Sequence, residues 1–304
     1  MLTVGQLTAP QLRQRMAGDG LYLRTGAFVT CLRSNIPQVV RAIALMYPDY
    51  PLANDDGYAD FHLRMVRPFG WRRWFRPQVQ LLYDGQPPFK PLPLAQAYPM
   101  FEWGLNWCVA SRAHNYLLLH AAVVERNGRA AILPAPPGSG KSTLCAALVH
   151  RGWRLLSDEL TLLRLSDGLI MPMPRPISLK NGSIELLRAI LPSSTFTPVV
   201  RDTSKGAVAH LRAPADSIAR HNEPARPAWI VFPRYEAGRP ATLEALPKAR
   251  AHLEVAENSF NYSLLAAAGF EALAQLIAHS DCYRFTYSRT DDALATFNAL
   301  EAPP

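Results

Sequence analysis

The chain lacks any apolar run near the roughly 18 residues that a membrane-spanning helix needs. Its first residues, MLTVGQLTAPQLRQRM, also lack the basic start and the apolar stretch of a secretory signal, so the cytoplasm is the expected compartment. Cysteine is scarce: Cys31, Cys108, Cys145 and Cys282 are far apart and form no CxxC pair. That spacing speaks against a zinc site or a disulfide framework and for isolated reduced thiols. Acidic residues are in the minority, 24 against 32 basic, which gives a net charge of +8. The imbalance suits an anionic ligand or an acidic partner. It comes without a nucleic-acid-binding signature, and no nucleic acid is expected as a partner. Internal repeats and long low-complexity segments are also missing.

What is present is a core-forming composition. The 304 residues are 49% hydrophobic and 18% charged, enough for one large domain or two ordinary ones. Residues 1–115 read as a mixed α+β region. LYLRTGAFVTCL (21–32) is a strand or hairpin, and 36–47 has helical spacing with Val39, Val40, Ile43 and Leu45 on one face. FHLRMV and VQLLY are strands, QPPFKPLPL is irregular, and Ala95 to His114 is helical with Pro99 near its start. From Asn115 onward strands and helices alternate: YLLLHAAVVE, RAAILPA, a helix over 142–152, and WRLLSDELTLLRL with strand character. A proline-rich stretch (171–182), the helix SIELLRAIL, strand AWIVFP, helix 264–280, strand CYRFTYS and helix 291–300 follow. This alternation predicts an α/β sheet over 116–304.

Near the middle stands LPAPPGSGKSTL, residues 133–144. It meets the phosphate-loop pattern G-x-x-x-x-G-K-[S/T], with Ala135 in the first position. A strand before and a helix after are the context the mechanism requires. Pro137, Gly138, Ser139, Gly140, Lys141, Ser142 and Thr143 are the candidate nucleotide-binding residues. The glycines let backbone N–H groups converge on phosphate, and the helix adds its positive end. Lys141 would reach the β- and γ-phosphates, and the Ser142 hydroxyl would ligate Mg²⁺. The expected cofactors are therefore ATP or another nucleoside triphosphate, and Mg²⁺.

Asp158 and Glu159 follow Lys141 after one helix and one strand. A helix running out from the loop and a parallel strand returning would bring both carboxylates to the phosphate edge. There they could hold Mg²⁺ with Ser142 or accept a proton from an attacking hydroxyl. His120 lies in the apolar run LLLHAAVV, on a strand whose hairpin partner ends at the loop. A lone histidine in such a run is commonly a core residue, and only its level with the loop argues for more. Arg175 and Lys180, in PRPISLKNGS, are either a second cationic contact for phosphate or part of an ordinary rim loop. RPFGWRRWFRP (67–77) is either a dock for an acidic peptide, membrane surface or subunit, or a loop packed by its aromatics. Trp103 and Trp107 share a helix face and read as core, with Glu102 a candidate exception. In ENSFNYS, Asn and Tyr either touch nucleotide or cap the next helix.

The combination of a histidine on the preceding strand, GSGKS and RLLSDE resembles HPr kinase/phosphorylase over residues 116–180. It is similar, more distantly, to the phosphate-loop half of phosphoenolpyruvate carboxykinase. The stretches RRWFRPQVQLLYDG, FEWGLNWCVAS, LLLHAAVVERNGRAAILPAPPGSGKSTL and RGWRLLSDEL resemble the kinase A group of HPr kinase-related bacterial proteins over most of the chain. The resemblance implies a phosphate-loop kinase domain over 116–304 with an N-terminal α+β extension over 1–115. It implies that Lys141 and Ser142 bind phosphate and Mg²⁺, that Asp158 deprotonates an acceptor serine, that Glu159 stands near the metal in place of an aspartate, and that His120 lies by the phosphoryl group. The segment rich in Arg-Gly and Ile-Ile-Asn with which HPr kinase binds its protein substrate is missing, so that substrate and the reverse phosphorylase activity do not transfer. The expected function is ATP-dependent phosphorylation of a hydroxyl, a serine on a small protein or peptide, with self-association open. The alternatives are a small-molecule kinase of the shikimate or gluconate type and a nucleotide-binding regulator with little catalysis.

Overall fold

The computed structural model describes residues 1–53, 58–70, 72–136 and 138–301. It is a mixed α/β structure with four sheets. A five-stranded sheet comes first, its strands adjacent in chain order: Leu21–Thr25, Phe28–Ser34, Phe61–Val66, Gln78–Tyr83 and Leu92–Pro93. In Phe61–Val66 the alternation is visible, with Phe61, Leu63 and Met65 inward and His62 and Arg64 outward. The helix Pro37–Met46 buries Val39, Val40, Ile43 and Met46. Leu45, expected on that face, is exposed, because a three-residue step from Ile43 reaches Met46 instead. The helix Ala97–Arg112 tolerates Pro99 because the ring sits in its first turn, where no N–H is needed.

The six-stranded sheet has the spatial order Thr242–Ala245, Asp281–Tyr287, Arg226–Tyr235, Arg129–Pro134, Ala121–Arg126 and Arg154–Ser157. Arg226–Tyr235 is parallel to both of its neighbours, and the other pairs are antiparallel. Arg154–Ser157 therefore runs in the direction of Arg129–Pro134 but does not neighbour it, since Ala121–Arg126 lies between them. Two three-stranded antiparallel sheets complete the fold. One joins Ile170–Met171, Thr161–Arg164 and Tyr116–Leu119, and the other joins Ile177–Lys180, Gly206–Leu211 and Val200–Thr203.

Two segments that read as single strands are each divided between sheets. YLLLHAAVVE breaks at His120: Tyr116–Leu119 belongs to a small sheet and Ala121–Arg126 to the large one. The break is held from outside, because the His120 N–H donates to Asn258 O at 2.6 Å and the Leu118 N–H to Asn261 Oδ1 at 2.9 Å. WRLLSDELTLLRL breaks at Asp158–Leu160, between Arg154–Ser157 and Thr161–Arg164. The chain thus crosses between the same two sheets at His120 and again at Asp158, which puts both residues at the seam. One apolar cluster, with Leu63, Leu81, Phe101, Leu118, Leu133, Leu148 and Phe285, runs under both halves of the chain. No helix among the described residues is long and apolar enough to cross a membrane.

Inside the large sheet Glu125 and Arg154 are buried as a pair on neighbouring strands. Glu125 Oε2 accepts from Arg154 Nε, Oε1 accepts from the Gly128 N–H, and Arg154 Nη1 donates to Arg220 O at 3.0 Å. Removing one partner strands a charge in the core. Glu125→Ala is expected to lower the urea-unfolding free energy by about 3–5 kcal/mol, and the double change Glu125→Leu, Arg154→Met to recover most of it.

Candidate functional site

The strand Arg129–Pro134 runs into the glycine-rich turn, and the helix Lys141–Val149 leaves it. Gly138 and Gly140 have φ of +88° and +89°. At Gly140 a Cβ would also stand 2.7 Å from the Tyr287 hydroxyl, so glycine is required there twice over. Gly140 is the N-cap and supplies no capping side chain, which leaves the first N–H groups of the helix directed to the turn. Gly138 is exposed; Ser139, Gly140, Ser142 and Thr143 are half-buried around the turn. Pro137 lies outside the described residues.

Asp158 is set under this helix. Its Oδ2 accepts from Ser142 Oγ at 3.2 Å and from the Ser178 N–H at 3.1 Å. Its Oδ1 is buried with no hydrogen-bond partner. Burial pushes the carboxyl from its ordinary 3.8 up to about 6, against the pull of Lys141. Lys141 is itself only 9% exposed, and burial lowers its pKa while Asp158 and Glu159 oppose the shift. Glu159 accepts from Asn106 Nδ2 at 2.6 Å. Burial pushes Glu159 up, but Lys205, Lys180, Lys141 and Arg175 together hold it below the usual carboxylate range. His120 packs edge-on to Phe260, with ring centroids 5.6 Å apart. Burial and the nearby Lys141 charge depress it to about 4, so it is a neutral imidazole at pH 7.

The candidate residues His120, Lys141, Ser142, Asp158, Glu159 and Lys180 thus come together, mutually hydrogen-bonded or within electrostatic reach. Ala121 stands opposite Pro134, which makes His120 level with the start of the loop. Arg175 is buried in a different setting. Its guanidinium pairs with Glu102 at 3.5 Å and donates to Asn106 Oδ1. Ile177–Lys180, read as part of a proline-rich stretch, is a strand that carries Ser178 and Lys180 on one face.

Other expectations resolve differently. Trp107 is packed edge-on between Tyr83 and Phe89, whereas Trp103 lies under the Lys205 ammonium at 5.1 Å and borders Asp158. The Asn261 side chain does not cap its helix. It bridges the strand Tyr116–Leu119, accepting from Leu118 N and donating to Tyr116 O. In 67–77, Phe69, Trp74 and Phe75 are exposed rather than packed inward, and Trp71 lies outside the described residues. Lys205 and His210 are site residues that sequence reasoning missed. The turn signal DTSKG marks the hairpin that carries them, with Asp202 and Gly206 at positive φ, but nothing in it says what the hairpin faces.

No family model matches the chain, and no curated protein matches it in sequence. Among solved structures it is similar to the HPr(Ser) kinase/phosphatase from Coxiella burnetii, at 11% identity and a TM-score of 0.26, over 60% of this chain and 95% of that one. At that score the likeness carries no argument about function.

A charge held at Asp158 costs stability. The folded carboxyl titrates near 6 against an ordinary 3.8, so the cost is full above pH 6, fades as pH falls through 6, and is gone below 3.8. In the ligand-free protein Asp158→Asn is expected to raise the unfolding free energy at pH 7.5 by on the order of 3 kcal/mol at most, and Tm with it. The gap to the wild type should narrow by pH 4.5. The depressed imidazoles of His120 and His210 pull the other way below pH 6.5, but in both proteins alike, so a thermal-melt difference isolates Asp158.

Proposed function

We propose that the protein is an ATP-dependent phosphotransferase, with the phosphate-loop fold of an HPr-kinase-like enzyme over 116–304 and residues 1–115 packed against it. The acceptor is a hydroxyl, a serine on a small protein or peptide. The observation that carries this reading is the 3.2 Å contact between Ser142 Oγ and Asp158 Oδ2 beside a buried Lys141, at the start of a helix entered through two left-handed glycines. Backbone N–H groups of 138–142 and the Lys141 ammonium cradle the β- and γ-phosphates. Lys180 and Lys205 add positive charge from the neighbouring strand and hairpin.

A hydroxyl and a carboxylate side by side fit Mg²⁺, which takes one or two protein oxygens and fills the rest of its shell with phosphate and water. Ser142 and the Oδ2 side of Asp158 would hold it, with Glu159 one residue further along the turn. Bound there, the ion would neutralise charge on the β- and γ-phosphate oxygens. The two oxygens of Asp158 divide the work: Oδ2 is occupied on the loop side, while Oδ1 is free to take a proton. His120, uncharged, can accept or donate a hydrogen bond beside the phosphoryl group.

Transfer of label from [γ-³²P]ATP to protein in a cell lysate tests the reading. Lys141→Ala and Asp158→Asn should each lower the rate by about 10²–10⁴-fold. Variants that label as fast as the wild type would sink these assignments.

A further inference from the structure

We infer that the recess bordering Asp158, lined by Arg175, Ser178 and His210, is an acceptor pocket that admits a seryl hydroxymethyl group, and that His210 positions it. The inference rests on the kinase reading above and names the chemistry of its acceptor.

The strands Ile177–Lys180 and Gly206–Leu211 pair antiparallel with Ser178 directly opposite His210. Directly paired residues share a face of the sheet, so the Ser178 and His210 side chains stand together, and both residues line the cavity with Asp158. His210 is 1% exposed, and neither of its ring nitrogens has a hydrogen-bond partner among the described residues. The Tyr98 ring stands edge-on at 5.0 Å and fixes the imidazole without satisfying it. Two other lining residues carry the same mark: Asp158 Oδ1, and Arg175 Nη1, which has only its ion pair with Glu102 at 3.5 Å. Native interiors pair nearly all their buried polar atoms. Three residues left with unpaired atoms around one cavity mark a place built for a ligand's polar group.

Size and charge select that group. The cavity is about 10 Å³, room for about one water-sized group and too little for a polyol ring. Arg175 is already balanced by Glu102, and burial depresses His210 to about 3 and keeps it neutral, so a neutral group is favoured over a second anion. A hydroxyl on a short, unbranched arm meets both demands. Its O–H donates to Asp158 Oδ1, and its oxygen accepts from a His210 N–H. In the transfer, a lone pair of that oxygen forms the new bond to the γ-phosphorus. The bond from γ-phosphorus to the bridging oxygen breaks with its electrons leaving on ADP, and the hydroxyl proton passes to Asp158 Oδ1.

The full-length protein with Mg·ATP is assayed against N-acetyl-L-serinamide, N-acetyl-L-threoninamide and myo-inositol, with ADP release and ³¹P spectra as readouts. Saturable phosphorylation of the serinamide is expected, with weaker use of the branched threoninamide and none of inositol. His210→Phe should raise KM for the serinamide about tenfold while leaving KM for ATP within about twofold, and His210→Gln should restore part of the loss. Because His210 is buried, Ser178→Val is the second variant. Its half-buried side chain narrows the recess from the opposite strand, keeps the N–H to Asp158, and should raise the same KM. Equal use of inositol, an unchanged serinamide KM in both variants, or Lys141-dependent ATP hydrolysis without transfer to the serinamide overturns the pocket alone. ATP turnover that is absent with water and with every acceptor overturns the kinase reading and the pocket together.

Discussion

One carboxylate oxygen ties the site together. Asp158 Oδ2 accepts at once from a hydroxyl on the helix after the glycine-rich turn and from a backbone N–H on the strand Ile177–Lys180. Those two elements approach each other through a residue that is itself the turn between two further strands. Without that oxygen, the helix start and the Ser178 edge would each present an unpaired donor to a buried seam, and nothing polar would hold them in register. The seam exists because the chain changes sheets there twice, at His120 and at Asp158. The crossing at His120 is held by residues 258–261, and the two crossings lie side by side through the pairing of Thr161 with Leu119 and of Val123 with Ser157.

Electrostatics explain why the arrangement survives burial. Lys141 and Asp158 would each be costly alone in such a place, and desolvation pushes each toward its neutral form. Together with Glu159 and the lysines at 180 and 205 they make a cluster in which every charge has an opposite neighbour. The residual strain is visible at Asp158, whose carboxyl still titrates well above its ordinary value. A site that relaxed this strain, by an amide in place of the carboxylate, would gain stability.

The sequence carried the local chemistry of this site better than its architecture. GSGKS with a strand before and a helix after was legible, because the left-handed turns need glycine and the periodicity changes across it. The closeness of Asp158 to the loop was expected from one helix and one strand, and that of His120 from its hairpin level with the loop. Asp158 Oδ2 lies 3.2 Å from Ser142 Oγ, just past a strand that does not neighbour Arg129–Pro134. What was not legible were the breaks at His120 and Asp158; LLLHAAVV is apolar on both sides of His120, and the groups that hold that break lie more than a hundred residues away, at Asn258 and Asn261. The hairpin carrying Lys205 and His210 was invisible as a site wall for a similar reason. Its turn residues announce a reversal of the chain, while the surface it faces is decided by tertiary packing.

Arg175 shows how the first third of the chain enters the chemistry. The helix Ala97–Arg112 contributes Glu102, Trp103 and Asn106 to the edge of the site. Glu102 neutralises Arg175 and is fixed in turn by the Tyr47 hydroxyl at 2.6 Å, from beyond the helix Pro37–Met46. Asn106 spends both ends of its amide, accepting from Arg175 and donating to Glu159, so the arginine and the acidic turn are positioned by one side chain. An arginine so engaged is a wall of the recess rather than a mobile contact for phosphate. The other cations near the acidic turn are lysines 141, 180 and 205, compact point charges on flexible stems. The N-terminal region therefore bears on the site by spacing and neutralising its wall, and the loop half by holding its remaining charges.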